Sequence, residues 1–274
     1  MADVDLPLIV EPEQLQPLLG TEGLLVVDLC KASVYEQIHI PGAVFLEYTQ
    51  ILAMKRPVGG LLPDDEQLSR VLSGIGLTPE THVVAYDDEG GGKAARLLWT
   101  LDMLGHARYS LLNGGLHAWY KEGFPTTAEP TEARPSDYRA EIQPESPACA
   151  DREFIESRLG EPNFALLDAR TPEEYSGEKR FSQRGGHIPG AANLDWMQAM
   201  DQGRNLRLKP TDELMAMLEE RGITPDKTVV TYCQTHHRSA HSYIMLKALG
   251  FPEVRGYPGS WSEWGNLPDT PVEE

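Results

Sequence analysis

The sequence predicts two tandem α/β domains, each a parallel β-sheet flanked by helices. Three observations carry this reading. The segment His39-Ile-Pro-Gly-Ala43 recurs 148 residues later as His187-Ile-Pro-Gly-Ala191, and self-similarity at that distance marks a duplicated unit. Each copy follows an apolar run closed by aspartate, Leu24–Asp28 in the first half and Phe164–Asp168 in the second. Short β-branched and aliphatic runs alternate with longer stretches of helical period, as a parallel sheet with helical crossovers requires.

Taken in order, the elements of the two halves correspond. Gly76-Leu-Thr-Pro79 and the strand-like Thr81–Tyr86 match Gly222-Ile-Thr-Pro225 and Lys227–Tyr232. Both runs lead into helices. Over 92–105, Leu97, Leu98, Leu101 and Leu104 share one face, and over 239–250, Ile244, Leu246 and Leu249 do the same work. Gly105 and Gly250 stand where left-handed C-caps belong. Gly114–Trp119 and Gly259–Trp264 close the two halves, with Trp119 and Trp264 packing an equivalent turn. Between the halves, 124–149 carries Pro125, Pro130, Pro135, Pro144 and Pro147, which no helix tolerates. The weak alternation of Tyr138–Ile142 would let this stretch wrap a domain in extended form. The expected organisation is a domain over 1–124, a proline-rich linker over 125–149 and a second domain over 150–274.

Composition limits the function. Asp and Glu total 42 against 24 Lys and Arg, a net charge of −18. Such a surface repels phosphate backbones and anionic membranes, so nucleic acid and membrane are not expected partners. A small anionic substrate would need a local basic cluster to reverse the field. The opening Met-Ala-Asp-Val-Asp-Leu-Pro lacks the basic start and apolar run of a secretory signal, and no stretch approaches 18 apolar residues. Three cysteines, Cys30, Cys149 and Cys233, are scattered without a Cys-x-x-Cys pair, which argues against a disulfide framework or zinc site. The expectation is a cytoplasmic protein with no metal and no cofactor.

Duplication makes each half a control for the other. Shared residues such as His39 and His187, or Asp28 and Asp168, serve the fold; residues peculiar to one half are candidates for chemistry. After the strand ending in Tyr, the first half continues Asp87-Asp-Glu-Gly-Gly-Gly92, whereas the second continues Cys233-Gln-Thr-His-His-Arg238. The second loop sits at a strand's carboxyl end before a helix, where open α/β sheets bind ligands. A helix N-terminus favours a thiolate and offers N–H donors to an anion. His236, His237 and Arg238 supply the local positive charge. A thiol near its ordinary pKa of about 8.5 is only a few per cent ionised at neutral pH, and lowering the pKa also lowers nucleophilicity. Positioning and charge stabilisation must therefore carry most of the rate.

These features, with Gly-Ser-Trp-Ser-Glu-Trp over 259–264, make the chain resemble the tandem-domain rhodaneses over nearly its whole length. The loop Cys-Gln-Thr-His-His-Arg is similar to that of a bacterial branch. The resemblance implies a thiosulfate sulfurtransferase working by double displacement. The Cys233 thiolate takes the outer sulfur of thiosulfate, and cyanide or a thiol then removes it from the persulfide. It implies a cradle of N–H groups from Gln234, Thr235, His236, His237 and Arg238, with Arg238 holding the loop or the sulfonate. The first domain, with Asp87 in place of cysteine, would be silent. Arg170, two residues after Asp168, is retained from the family pattern, but a later arginine is replaced by Glu174. Lys179, Arg180 and Arg184 are candidates to replace it as oxyanion ligands, and Trp196, which has no counterpart in the first half, is a candidate to line the cleft.

Competing readings keep the fold and change the chemistry. Mercaptopyruvate as donor is disfavoured because the loop lacks the Gly-Ser/Gly-Gly-Val-Thr pattern of those enzymes. A persulfide donor to thioredoxin or to iron-sulfur assembly shares the carrier and differs in acceptor. A phosphatase of the same fold would have one more residue in the loop, to surround phosphate. A noncatalytic binding module conflicts with the intact Cys233. A monomer is expected.

Overall fold

The computed structural model describes residues 4–274. The strands used below are, in chain order, β1 (Ile9–Val10), β2 (Leu24–Asp28), β3 (Val44–Phe45), β4 (Ala53–Lys55), β5 (Val58–Leu61), β6 (His82–Tyr86), β7 (Tyr109–Leu112), β8 (Phe164–Asp168), β9 (Ala192–Asn193), β10 (Thr228–Tyr232) and β11 (Val254–Gly256). The helices used below are α1 (Asp65–Gly74), α2 (Gly92–Met103), α3 (Gly115–Lys121), α4 (Pro172–Tyr175), α5 (Thr211–Glu219), α6 (Arg238–Ala248) and α7 (Ser260–Trp264).

The chain forms two compact units. One comprises the residues up to Ile51, Pro63–Pro144 and Asp201–Leu208; the other comprises Leu52–Leu62, Glu145–Met200 and Lys209–Glu274. The first unit holds a parallel sheet in the order β1-β7-β6-β2-β3, the second a parallel sheet in the order β11-β10-β8-β9. The duplication is kept in register: Asp28 pairs with Tyr86 across β2 and β6, and Asp168 with Tyr232 across β8 and β10. Strand β6 is buried at every residue, and β10 at all but Thr228, as expected of central strands with both faces covered. Their apolar residues join two separate cores, one around Val84, Tyr86, Leu112 and Trp119, the other around Val230, Tyr232, Trp261 and Trp264.

The predicted helices run over Gly92–Met103 and Arg238–Ala248, each followed by the expected glycine at positive φ, Gly105 at 71° and Gly250 at 83°. The recurring histidines are structural in both halves. His39 stacks on Tyr35 with ring centroids 3.9 Å apart, and its nitrogens lie 2.7 and 3.0 Å from the carbonyls of Tyr35 and Glu129. His187 stacks on Tyr175 at 3.6 Å, with Nδ1 3.0 Å from the Tyr175 carbonyl. The next residue in each motif donates its N–H to the strand tyrosine, Ile40 to Tyr86 and Ile188 to Tyr232.

Two features depart from divisions at 124 and 150. Residues 125–144 belong to the first unit as an extended strap rather than a tether. The Trp119 Nε1–H donates to the Pro125 carbonyl, Thr127 bridges with His39, Ser136 N–H donates to Ser73 and Gln143 N–H to Met103. Proline removes helix-forming capacity but not the N–H groups of its neighbours, and those are satisfied along the unit's surface. The second departure is the β4–β5 hairpin, which comes from the first half of the sequence yet belongs to the second unit.

Candidate active site

Cys233 follows β10 directly, and Arg238 opens α6, so the six residues from Cys233 to Arg238 form one tight loop. The loop closes through His236, which adopts φ 54°, is fully buried and has Nδ1 2.8 Å from the Ser239 hydroxyl. The segment leading into α7 pins the other side. Cys233 N–H donates to the Ser260 hydroxyl at 3.3 Å, and that hydroxyl donates to the Tyr257 carbonyl at 2.7 Å. Trp261 N–H donates to the Cys233 carbonyl and Ser262 N–H to the Gln234 carbonyl, both at 2.9 Å. The β4–β5 hairpin completes the clamp: Gly59 N–H donates to the Ser262 hydroxyl at 3.2 Å, and a Cβ on Gly60 would lie 2.0 Å from the Thr235 carbonyl oxygen.

The thiol is 1% exposed. Burial alone would push it up, but the Arg238 charge and hydrogen bonds from Ser239 and the Thr235 backbone outweigh burial and hold it below the ordinary thiol value. Arg238 stays charged. Its two terminal nitrogens reach both carboxylate oxygens of Glu174, at 2.6 and 2.9 Å. Glu174 is buried on α4, where it also receives the Thr171 N–H in a capping box. Burial opposes its charge, and the Arg238 contact holds the carboxyl below its ordinary value. Before this loop lies a pocket of about 510 Å³ lined by Gln234, Thr235, Arg238, Glu174 and Thr171, with Lys179, Phe181, Ser262 and the hairpin residues Met54, Pro57 and Gly59.

The predicted residues divide. Gln234, Thr235 and Arg238 line the pocket, with His236 beneath in the turn. Trp196 lies beside the loop, its ring centroid 5.9 Å from that of His237 and 5.5 Å from that of buried His241; burial lowers the His241 pKa to about 4, so this contact is with a neutral imidazole. Arg170 is not offered to a ligand. It is 1% exposed, bonds both oxygens of Asp168 and the Gly186 carbonyl, and stacks on Trp261 at 4.5 Å. Arg184 is likewise engaged, donating to the Trp264 carbonyl and to the carbonyl and hydroxyl of Thr270. A guanidinium whose terminal nitrogens are held by internal carbonyls fastens a loop. Among the described residues, no group of three or more His, Cys, Asp or Glu is placed to hold a metal ion.

Sequence reasoning missed Ser260, Ser262 and the hairpin. Ser260 had a usable signal: it stands where the first half has Gly115, and both hold positive φ, 49° and 53°. The equivalent loop in the first unit is built around a carboxylate. Asp87, fully buried, accepts N–H bonds from Glu89, Gly91 and Ala94 at 2.9, 2.8 and 3.0 Å. Its carbonyl receives the Leu116 N–H at 3.0 Å, as that of Cys233 receives Trp261. The first unit keeps the nest without a nucleophile. Cys30, at the position of Arg170, is a neutral thiol held up by burial and by Asp28.

A parallel α/β sheet that sets one cysteine in a strand-to-helix anion cradle, beside a duplicate whose cradle holds a carboxylate, defines a thiol-based group-transfer architecture. The chain belongs to the rhodanese family, whose rhodanese-like domain matches residues 11–122 and 151–267. A thiosulfate sulfurtransferase of Azotobacter vinelandii is 47% identical over 98% of this chain and 97% of that protein. One from Pseudomonas aeruginosa is 46% identical over 98% of each. The sulfur carrier protein TtuD of Thermus thermophilus is 35% identical over 87% of this chain and 86% of its own. Among solved structures, an anaerobic ergothioneine biosynthesis enzyme from Chlorobium limicola superposes with TM-score 0.85 at 22% identity, covering 97% of this chain and 70% of that one. At that identity the likeness extends to the fold.

Proposed function

We propose that this protein is a thiosulfate sulfurtransferase that carries sulfur as a persulfide on Cys233. The observation that carries this reading is the buried thiol of Cys233, favoured as thiolate by Arg238 and by the N–H and hydroxyl donors of its own loop. Near-half identity to named thiosulfate sulfurtransferases over the full length supports the donor.

The thiolate attacks the outer sulfur of thiosulfate, forming one S–S bond as the bond to the sulfonate sulfur breaks and its electron pair leaves with sulfite. Charge is conserved, since thiolate and thiosulfate become persulfide and sulfite. Gln234, Thr235, His236 and His237 lie within the turn that surrounds the new terminal sulfur, and their backbone N–H groups take up its charge. Cyanide or a small thiol attacks the terminal sulfur and returns the thiolate. No proton has to move in the first transfer, so His236 and His237 shape the loop and its field rather than act as bases.

The acceptor reading extends to protein thiols such as thioredoxin, because Met54 and Phe181 at the pocket rim are 71% and 59% exposed and would meet an apolar partner surface. Among the described residues no helix is long and apolar enough to cross a membrane. Intact mass after thiosulfate tests the cycle. Wild type should gain one sulfur, about 32 Da, lose it to cyanide, and Cys233→Ser should gain none; no gain in wild type would remove thiosulfate as donor.

A further inference from the structure

We propose that Glu174 determines donor specificity: by holding Arg238 in a two-point ion pair it cancels the loop's cation, leaves Lys179 as the charge a donor meets, and so disfavours dianionic sulfur donors relative to singly charged ones of the same shape. The proposal deepens the sulfurtransferase reading and rests on it.

The charges on the pocket wall carry the argument. The charged lining residues are Glu174, Lys179 and Arg238. Both forks of Arg238 are on Glu174 at 2.6 and 2.9 Å, with the carboxylate side chain 3% and the guanidinium 20% exposed. A pair so enclosed is poorly screened. The two arginines that the sequence offers as further charge are bound elsewhere, Arg170 to Asp168 and Arg184 to the carbonyls of Trp264 and Thr270. Lys179 is exposed, with Nζ 5.0 Å from the Phe181 ring centroid. Lined in this way, the pocket wall carries one net positive charge, and it is neutral once Cys233 is a thiolate. A donor of charge −2 therefore meets loop N–H dipoles but no net countercharge, and one of charge −1 suffers about half that penalty.

Thiosulfate and methanethiosulfonate form the probe pair. Both present a terminal sulfur on a tetrahedral sulfonyl centre, and methyl replaces one oxygen in the second, taking the charge from −2 to −1. Glu174→Gln keeps the capping-box geometry, which Gln serves as well as Glu, and one hydrogen bond to Arg238, while removing the charge. The expected result is a rise in kcat/KM of about tenfold for thiosulfate and about threefold for methanethiosulfonate, so their ratio increases about threefold. The acid limb of the rate profile should move to lower pH in the same variant, because the Arg238 charge that holds the Cys233 thiol below its ordinary value is no longer paired with a carboxylate.

If Glu174 only fastens the loop, both donors would change by the same factor and the ratio would stay at its wild-type value, which would overturn the proposal. Should Glu174→Gln fail to fold, Lys179→Gln on the exposed rim decides. The ratio should then fall about threefold, and an unchanged ratio would again overturn the proposal. A wild type that gains no sulfur from thiosulfate by mass, whatever the variants do, would instead sink the underlying reading and the proposal with it.

Discussion

At Cys233, burial and charge pull in opposite directions, and loop geometry settles the contest. A thiol at 1% exposure should stay protonated, as Cys30 does in the first unit. The difference is company: Asp28 beside Cys30, Arg238 and the Ser239 donors beside Cys233. Ser260 works on the same residue from behind, its hydroxyl accepting the Cys233 N–H although its backbone sits at φ 49°. Ser260→Ala and Ser260→Gly should both lose rate, since each leaves the buried Cys233 N–H without that acceptor. Ser260→Ala should also be less stable than Ser260→Gly by about 1 kcal/mol, because only alanine keeps a Cβ in the left-handed region. Thermal unfolding of the two variants, with kcat for thiosulfate, checks the split.

Among the elements, the β4–β5 hairpin has the clearest consequence for the site. Gly60, at φ 71°, lies so close that any side chain there collides with the Thr235 carbonyl. That oxygen belongs to the backbone and cannot swing away. Gly60→Ala should displace the hairpin or the loop, with a stability loss of about 2–3 kcal/mol and a fall in kcat/KM of about tenfold or more; unfolding midpoints and initial rates measure both. The sheets and helices that position the loop were legible because period and chain order are local properties of sequence. Strands β2, β6, β8 and β10 and helices α2 and α6 lie within a residue or two of their predicted spans. The hairpin was not legible, because its pairing partner in space, Thr235, is more than 170 residues away. The extended path over 125–144 was open to sequence reading but its partners were not: proline content excludes a helix but does not say what the remaining N–H groups bind.

For the whole molecule, the two units compare one backbone design with and without chemistry. In the first, Asp87 occupies the nucleophile's place, Gly92 that of Arg238, and the Lys93 ammonium is taken by Asp88 at 3.0 Å and Glu89 at 3.7 Å. A thiol placed there would face carboxylates and a lysine already paired with two of them. A protein carrying Asp87→Cys together with Cys233→Ser should therefore gain no sulfur from thiosulfate, as read by intact mass. A gain of about 32 Da would mean that the nest of N–H groups suffices without Arg238.

The sequence by itself determined the duplication, the parallel sheets and the loop that bears the proposed nucleophile, because repeated motifs, strand periodicity and the contrast of Asp87 with Cys233 are all written in linear order. Only the tertiary structure decided which cations are available. Arg184 reads as an oxyanion ligand in sequence and Arg170 as a site residue kept from the family pattern, yet carbonyls and Asp168 engage them, while Glu174, read as a lost arginine, became the partner of Arg238. A charge acts through its distance to other charges, and those distances are set when residues remote in the chain are folded together.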